Sequence, residues 1–436
     1  MTATSPPTSP RPVYTDIGNA LGTDYFLLKA DLSTDERDYL KRTRRFVEEE
    51  VMPQINPYWE RAEVPVDLCR RLGELGLVGD GLNGYGCPPM SKTAAGLIAM
   101  ELNRGDGSVG TFLGVQAGLA MRSIHMHGSE EQKQRWLPAM ARCEKLGAFA
   151  LTEPRHGSDS VSLETEARRD GDEYVINGAK RWIGNGSMAD VVVLWARDAE
   201  DMQVKGFLIE GGTPGYDGRP IEGKGSLRAL WQADIDLTDV RVPVANRLPK
   251  ANNFADAANV LKATRATCAW SALGHAVAGF DAALNYAAQR TQFGKPLARF
   301  QIVQEKLVRM LCEITAMQLY CQRLGQLDDT DEMSDTIAAL GKLNNTVKAR
   351  EVLAEARNLL GGNGHPARKP RHPAFHRYRG HLHLRGNRDD PNADRRPRHH
   401  RVERVHLTRP PVARADPDQC RHPRRGANRW SFPASP

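Results

Sequence analysis

The chain changes composition abruptly after Gly364, in the middle of a glycine-rich motif, and this break limits which part of it can form a globular fold. Residues 365–436 hold 17 Arg and one Lys against six Asp plus Glu, a formal charge of +12. Subtracting this from the whole-chain charge of +7 leaves −5 for residues 1–364. The basic character therefore belongs to the last segment alone, and the globular part is expected within residues 1–364.

The last segment has the pattern of a shifted reading frame. Skipping one base after the Gly364 codon converts residues 365–391 into ILLENHVTRHFTDIEAIYTYEGTETIQ with permitted codon choices. Each shifted codon takes most of its bases from the residues as written, so a long meaningful reading indicates a frameshift. The alternative is a genuine basic, disordered tail that binds nucleic acid or an acidic surface. Under both interpretations we predict no packed structure for residues 365–436, because so polar a segment cannot offset its ordering entropy.

The preceding residues divide into helical, strand-rich and helical parts. Ser33 followed by Glu36 predicts a capping box at the start of a helix whose apolar residues follow helical spacing. Between about residues 149 and 249, β-branched runs replace this pattern, and the Asn177–Gly178 pair predicts a hairpin turn. The sequence thus predicts a mainly α protein with a β domain. Its parts are a disordered leader (1–32), an N-terminal helical domain (33–148), a middle β domain (149–250), a truncated C-terminal helical domain (251–364) and the basic tail (365–436).

Composition argues against several other classes of protein. No apolar run approaches the length of a membrane span, and Met1–Pro12 is rich in Ser, Thr and Pro without the apolar core of a signal peptide. The seven Cys are scattered without CxxC pairs or metal-ligand spacing, so no metal site is predicted. We expect a cytoplasmic protein without a membrane partner.

Four strings occur in order on this plan: FALTEPRHGSD at 149–159, RWIGN at 181–185, RTQFGKPL at 290–297 and NLLGGNG at 358–364. Together they resemble the acyl-CoA dehydrogenase family, particularly the branch similar to glutaryl-CoA dehydrogenases and plant-type short-chain acyl-CoA oxidases. The resemblance covers about residues 30–364. It implies a β-barrel-like middle domain between two helical domains, the second a bundle. It also implies FAD as cofactor, an acyl-CoA substrate and a homo-oligomer, either dimer or tetramer.

The resemblance implies that these strings build a flavin site. Trp182 would pack on the flavin, and Arg290 would reach the FAD of a neighbouring subunit with its planar fork. Taken alone, Trp182 is as readily a packed sheet residue, Arg290 a solvated helix-end charge and Gly361–Gly362 a helix cap. The implied cofactor-binding residues are Phe149, Leu151, Thr152, Gly157, Ser158, Trp182, Ile183, Gly184, Arg290, Gln292, Phe293, Gln301, Asn358, Gly361 and Gly362.

The family reaction removes an α-proton from an acyl thioester while the β-hydrogen leaves as hydride, so a carboxylate must reach the α-carbon. The resemblance places this Glu in the YEGT string of the shifted frame, at position 385, where the chain as written has Arg385. A relative carries its base at the position of Thr264, and His156 is interpreted as a loop residue. No catalytic base is therefore expected in the chain as written. The implied substrate-binding residues are Gly110, Thr111, Ser158, Thr264 and Arg265.

Gly110 stands where glutaryl-CoA dehydrogenases carry an Arg that holds the distal carboxylate. Since a buried carboxylate without a counter-charge is costly, we predict an uncharged short- or medium-chain acyl-CoA as substrate. The electron acceptor is an electron-transfer flavoprotein or oxygen, so the alternative of a short-chain acyl-CoA oxidase stays open. A flavin- or acyl-CoA-binding protein without turnover is a further alternative. Nucleic-acid binding through the basic tail is the least favoured, and no nucleic-acid partner is predicted.

Overall fold

The computed structural model describes residues 20–364, which contain two helical domains and a β-sheet between them in the sequence. Residues 1–19 of the predicted leader, the basic tail and Arg385 lie outside the described residues. The helical and β domains expected from the sequence are therefore both present, and the resemblance-based prediction of the fold class is confirmed.

The N-terminal domain is helical. Its helices are α1 (Thr34–Phe46), α2 (Met52–Arg61), α3 (Val66–Glu74), α4 (Lys92–Gly105), α5 (Gly107–Leu113), α6 (Arg122–His127) and α7 (Glu130–Ala141). Two π-helical segments, Val47–Val51 and Gly114–Met121, connect α1 to α2 and α5 to α6. Helix α4 is buried along nearly its whole length, because α1 and the C-terminal helices pack around it.

The capping box predicted at the start of α1 is present. The Ser33 hydroxyl accepts a hydrogen bond from the backbone N–H of Glu36 at 3.2 Å, and the Glu36 carboxylate accepts one from the backbone N–H of Ser33 at 2.8 Å. These two bonds satisfy donors that the first turn of a helix leaves without partners. The local sequence therefore determines where this helix begins.

The middle domain is a curled seven-stranded sheet. Its strand order is β1-β4-β2-β3-β7-β6, with β5 paired to β4. Strands β1 and β4 run parallel, with Gly147 opposite Val191, whereas β3 and β7 run antiparallel, with Tyr174 opposite Val242. The strands are β1 (Gly147–Ala150), β2 (Glu166–Asp170), β3 (Glu173–Gly184), β4 (Val191–Asp198), β5 (Val204–Glu210), β6 (Tyr216–Pro220) and β7 (Gln232–Pro243).

The Asn177–Gly178 pair does not form the predicted hairpin turn. Strand β3 continues through it with a register shift, and the chain reverses earlier, near Gly171, which has a φ of 64°. The Asn177 side chain instead bonds across to β7, where its Oδ1 accepts from the backbone N–H of Asp239 at 2.8 Å. The predicted turn does not form because cross-strand pairing with β7 overrides the local turn preference of Asn177–Gly178.

The C-terminal domain is a second set of helices. They are α8 (Phe254–Ala263), α9 (Arg265–Gln289), α10 (Gln301–Asp329) and α11 (Asp335–Leu360), with a short hairpin of β8 (Thr291–Gln292) and β9 (Lys295–Pro296) between α9 and α10. The Ala-rich α9 is the central helix, packed against α4, α10 and α11. Its small side chains permit this close approach on several sides.

Part of the predicted leader is ordered in the structure. Residues 20–32 form two short 3₁₀ turns, and the Gln318 side chain of α10 donates a hydrogen bond to the Thr23 hydroxyl at 2.9 Å. Leu32 is buried in the core of the C-terminal helices. The structure differs here from the expected disordered leader, because these residues find partners on an element almost three hundred positions away. No helix within residues 20–364 is both long and apolar enough to cross a membrane.

Candidate functional site

Two strand ends bring the first pair of implied cofactor residues together. Thr152 follows β1, and Trp182 lies near the end of β3. The backbone N–H of Arg181 donates to the Thr152 carbonyl at 2.9 Å, which fixes the two segments side by side. We call Thr152, Gly157, Trp182 and Ile183 the strand-end group. Phe149, Leu151 and Ile183 have buried side chains, so they can offer a ligand mainly their backbone.

Trp182 has an unusual backbone and an exposed ring. Its φ is 62°, in the left-handed region, where the register of β3 shifts between Lys180 and Ile183. The indole is 42% exposed although Trp is large and apolar. A left-handed non-glycine residue is uncommon and is retained where the surrounding structure enforces it. Three residues further on, the buried Asn185 donates from Nδ2 to the carbonyl of Gly147 at 3.1 Å and so ties this end of β3 to the start of β1.

A buried ion pair supports the loop that carries Gly157 and Ser158. The Glu153 carboxylate accepts hydrogen bonds from Lys180 Nζ at 2.9 Å, from the Thr165 backbone N–H at 2.9 Å and from the Thr165 hydroxyl at 2.6 Å. Burial raises the pKa of Glu153, but Lys180 and these hydrogen bonds outweigh it and lower the pKa overall. The pair therefore closes the loop onto β3 from inside the domain.

The loop itself is exposed. A β-carbon at Gly157 would have no atom within 4 Å, and Ser158 is solvent-facing. His156, interpreted from the sequence as a loop residue, has Nε2 3.2 Å from a carboxylate oxygen of Glu164. Glu153, His156 and Glu164 lie close enough to hold a cation in principle. Glu153 is already committed to Lys180 and Thr165, so these residues carry no metal site in our interpretation.

Implied substrate residues line a separate cavity in the helical part. Gly110 and Thr264, which are distant in sequence, both border it. A β-carbon at Gly118 would lie 3.6 Å from the Thr264 side chain, so the residue before α9 and the π-helical segment meet at this cavity. We call this space the inner cavity. Its other lining residues are Leu77, Asp80, Met90, Ala95, Ile98, Ala99, Leu113, Gly114, Gly118 and Thr267.

The π-helical segment connects the inner cavity to the strand-end group. Gly114 faces the cavity, while a β-carbon at Gly184 would come within 2.8 Å of Val115. The Gln116 side chain accepts a hydrogen bond from the backbone N–H of Gly147 at 2.7 Å. One segment thus touches the start of β1 and the end of β3 and also forms a wall of the cavity. The π-helical segment therefore connects the end of β3, next to Trp182, with the inner cavity.

The remaining implied substrate residues are placed differently. Thr111 is buried in α5. Arg265, the first residue of α9, is partly exposed and lies 3.8 Å from the Asp335 carboxylate, which Lys262 also contacts. Thr264 bonds its hydroxyl to the Leu261 carbonyl at 2.9 Å. Arg265 is not among the residues that line the inner cavity.

Sequence reasoning missed Asp80, which lines the inner cavity, and Arg122, which pairs with it. Arg122 donates to the Asp80 carbonyl at 2.7 Å and also pairs with the Asp80 carboxylate. Asp80 is a carboxylate in a cavity where the sequence analysis found no substitute for the missing base. The two residues are 42 positions apart on a loop and a helix, so no local spacing signalled their meeting.

The other implied cofactor residues form a C-terminal group on the bundle. Phe293 lies at the tip of the β8–β9 hairpin with 92% of its side chain exposed, and Arg290 and Gln292 beside it are also exposed. The turn after α11 is held to α9 by Asn363, which donates to the Tyr286 hydroxyl at 3.0 Å. The described hydrogen bonds and ion pairs do not join this group to the strand-end group. The C-terminal group comprises Arg290, Gln292, Phe293, Gln301, Asn358, Gly361 and Gly362.

The strand-end group fits a flavin. A planar ring would cover the exposed Trp182 indole, and the open space at Gly157 leaves room for a phosphate-bearing chain to approach. Asn185 Oδ1 and Ser187 Oγ are buried without a hydrogen-bond partner among the described residues. Unpaired buried polar atoms of this kind indicate a ligand or water.

Comparison with protein families covers most of the chain. Residues 33–144 match the family model of the acyl-CoA dehydrogenase N-terminal domain, residues 148–240 the middle domain and residues 254–388 the C-terminal domain. The bovine mitochondrial short-chain specific acyl-CoA dehydrogenase is 33% identical over 335 residues, which are 75% of this chain and 81% of the relative.

Solved structures agree with these matches. The glutaryl-CoA dehydrogenase of Mycobacterium smegmatis is 39% identical, with a TM-score of 0.79 over 84% of this chain and 93% of that one. A second glutaryl-CoA dehydrogenase structure from M. smegmatis, in complex with FADH2, is 36% identical, with a TM-score of 0.77 over 82% of this chain and 95% of that one. Sequence and fold therefore point to the same group of proteins.

Proposed function

We propose a function from the premise that the chain belongs to the acyl-CoA dehydrogenase family: FAD-dependent α,β-dehydrogenation of a short- or medium-chain acyl-CoA thioester. The proposal depends mainly on the contacts of the π-helical segment Gly114–Met121. This segment lines the inner cavity, and it also contacts β1 and β3, the strands that lead to the strand-end group. A thioester in the cavity would thus meet a flavin held at Trp182.

FAD, when bound, supplies the acceptor for the hydride that leaves the β-carbon. The chain's own residues bind and orient the flavin and the acyl thioester. Trp182 covers one side of the ring site, and the backbone groups of Thr152 and Ile183 face its polar edge. The apolar wall of the inner cavity excludes water from the acyl chain, and Thr264 closes that wall at the start of α9.

The chain as written lacks the carboxylate that the family uses to remove the α-proton. The resemblance places the base at position 385, where Arg385 cannot accept a proton. The carboxylate that the described residues bring to the inner cavity is Asp80, and Arg122 holds it in an ion pair. Loss of a positioned base costs about 10² to 10⁴ in rate. We therefore propose that this chain binds cofactor and substrate but turns over slowly, in keeping with a frameshift after Gly364.

The acyl group is proposed to be uncharged near its thioester. Gly110 offers no cation, and the space beside it is filled by the neutral side chain of Asn103. A glutaryl carboxylate at this position would be buried without a partner, at a cost of several kcal/mol. Butyryl- and hexanoyl-CoA fit this environment better, although the similar solved structures include glutaryl-CoA dehydrogenases.

The assembly is proposed to be a homo-oligomer, as a tetramer or a dimer. The C-terminal group is too exposed to form a cofactor site by itself, and α10 and α11 present a broad apolar surface. Such surfaces on a soluble domain mark protein contacts. Its exposed residues include Ile302, Val308, Leu319, Leu340, Leu343 and Val347.

The electron acceptor is proposed to be an electron-transfer flavoprotein, with oxygen, and hence a short-chain acyl-CoA oxidase, as the alternative. A cytoplasmic location is proposed because the described cysteines are all free thiols and five of the six are buried. The bovine relative is named as mitochondrial, so cell fractionation is the direct check of this proposal.

The experiment that tests the function uses the purified full-length chain. After addition of FAD and gel filtration, we expect retained flavin absorbance, and calorimetric titration should show binding of butyryl- and hexanoyl-CoA with weaker binding of glutaryl-CoA. Absence of both flavin and thioester binding would overturn the proposal. Salt-sensitive RNA binding that disappears when residues 365–436 are deleted would instead support the nucleic-acid alternative.

A further inference from the structure

The inner cavity has a floor of glycines that leads to an arginine. Gly110, Gly114 and Gly118 line it at four-residue intervals, and Arg122 is the next residue at that spacing. Residues four apart lie on one side of a helix. A β-carbon at Gly118 would lie 3.4 Å from the Asp80 carboxylate, so the missing side chain at Gly118 leaves space beside the ion pair of Asp80 and Arg122.

A second cavity continues the first at this end. It shares Asp80, Ala95 and Thr267 with the inner cavity and adds the charged residues Lys92 and Arg122. We call it the polar cavity; Asp328 also lines it. The lining residues therefore change from mostly apolar in the inner cavity to charged beside Arg122.

Arg122 has a donor to spare at that end. One terminal nitrogen donates to the carbonyl and carboxylate of Asp80, but Nε has no hydrogen-bond partner among the described residues. The side chain is only 9% exposed. A buried donor without a partner is destabilising, so the site favours a ligand group that accepts a hydrogen bond.

The charges around the polar cavity are already balanced. Arg122 and Lys92 are cationic, and Asp80 and Asp328 are their carboxylate counterparts. Burial lowers the pKa of Lys92, with Arg122 adding to the effect, and burial raises the pKa of Asp328. The two cations are matched by two carboxylates on the same cavity, so an additional anion would have no free counter-charge here.

We propose that the polar cavity is a specificity subsite for a neutral hydrogen-bonding group, a hydroxyl or a carbonyl, at the far end of the acyl chain, with Arg122 as its specificity-determining residue. The inference rests on the proposed function, because it takes the inner cavity as the acyl site. It goes beyond that function because it predicts a polar group at the end of the acyl chain remote from the thioester. A plain hydrocarbon chain would leave the Arg122 Nε donor without a hydrogen-bond partner.

Isothermal titration calorimetry on the full-length, FAD-supplemented protein tests this subsite with three thioesters: hexanoyl-CoA, ω-hydroxyhexanoyl-CoA and adipoyl-CoA. We expect the hydroxylated chain to bind about tenfold more tightly than hexanoyl-CoA, the ratio that one additional hydrogen bond provides. Adipoyl-CoA, with a carboxylate at the same end, is expected to bind most weakly.

Variants separate recognition from folding. Arg122→Met should remove the preference for the hydroxylated chain, but it leaves Asp80 without its cation. The Arg122→Met/Asp80→Asn double variant avoids that unpaired charge and should show the same loss of the preference, measured as the ratio of the two affinities. Arg142→Met, which changes an exposed arginine paired with Glu144, is the matched control and should keep the preference.

The outcomes are distinct. Equal affinities of hexanoyl- and ω-hydroxyhexanoyl-CoA for the unmodified chain would overturn the subsite, as would tightest binding of adipoyl-CoA or a preference that survives in the double variant. Failure of all three thioesters to bind would overturn the proposed function, and the subsite with it. A hydroxyl preference that only the Arg122 variants lose supports the inference.

Discussion

The side chain of Asn103 occupies the position in which a β-carbon of residue 110 would lie, with its Oδ1 only 2.6 Å from that point. Asn103 is held there because its Nδ2 donates to the Ala99 carbonyl at 2.8 Å and to the Ser271 hydroxyl at 3.1 Å. Packing against Asn103 therefore requires glycine at position 110. Gly110 also provides no cation that could hold a substrate carboxylate.

This contact makes Gly110→Ala destabilising. An alanine in a helix normally gains stability over glycine, but here it would displace Asn103, and we expect a net loss of about 1–3 kcal/mol. Urea denaturation measures the effect. In the Asn103→Ala background the same substitution should cost much less, since the clash is gone. Equal costs in the two backgrounds would contradict the packing account.

Breaking the Glu153–Lys180 pair should destabilise the middle domain and loosen the loop of the strand-end group. We expect Lys180→Met to cost about 3–5 kcal/mol, because it leaves a buried carboxylate without its cation. The loss of FAD retention should exceed that of the control Arg142→Met, which removes only a solvent-screened surface pair. Thermal denaturation and flavin absorbance after gel filtration provide the two measurements, and unchanged values in Lys180→Met would refute the role.

Trp182→Ala tests the proposed flavin contact. At the left-handed φ of position 182, alanine has the same backbone strain as tryptophan. The indole is also 42% exposed, so we expect only a small change in the free energy of unfolding. FAD retention should fall by about tenfold or more if a stacking contact of roughly 1.5 kcal/mol is lost. Met202→Ala is the matched control, since Met202 is also exposed and has a φ of 59°. Similar flavin content in both variants would rule out stacking on Trp182.

His275 should make the fold sensitive to mild acid. Burial lowers its pKa to about 3, so the unfolded chain binds a proton below pH 6.5 that the folded chain does not. Stability contributed by neutral His275 is thus complete above about pH 6.5 and falls by about 1.4 kcal/mol per pH unit as the pH drops toward 3. Between about pH 7 and pH 5, His275→Gln should lose about 2 kcal/mol less than the unmodified chain in urea denaturation. If the free energies of unfolding of the unmodified chain and His275→Gln fall equally between about pH 7 and pH 5, His275 does not cause the acid sensitivity.

Restoring the reading frame should restore catalysis. Deleting one base after the Gly364 codon is expected to raise the rate of flavin reduction by hexanoyl-CoA by about 10² to 10⁴. Arg385→Glu in the present tail should not do so, because the surrounding YEGT segment is still missing. Stopped-flow absorbance measures the rate. An ordinary enzymatic rate in the unmodified chain would contradict the frameshift account, and Asp80→Asn would then show whether the Asp80 carboxylate serves as the base.

The sequence was informative where the determining interactions are local. Ser33 and Glu36 predicted the start of α1 because capping needs only residues three apart. The alternation of helical and β-branched patterns predicted the order of the three domains. The four strings, read together, predicted the family that the comparisons show.

The tertiary structure decided features that depend on residues far apart in the chain. Strand β3 runs through Asn177–Gly178 because pairing with β7 stabilises an extended backbone there. The meeting of Asp80 with Arg122 and the position of Asn103 over Gly110 both depend on how the helices pack. Residue types and local spacing thus specified the elements and the kind of chemistry. The shape and polarity of the cavity arise only when long-range packing brings its walls together.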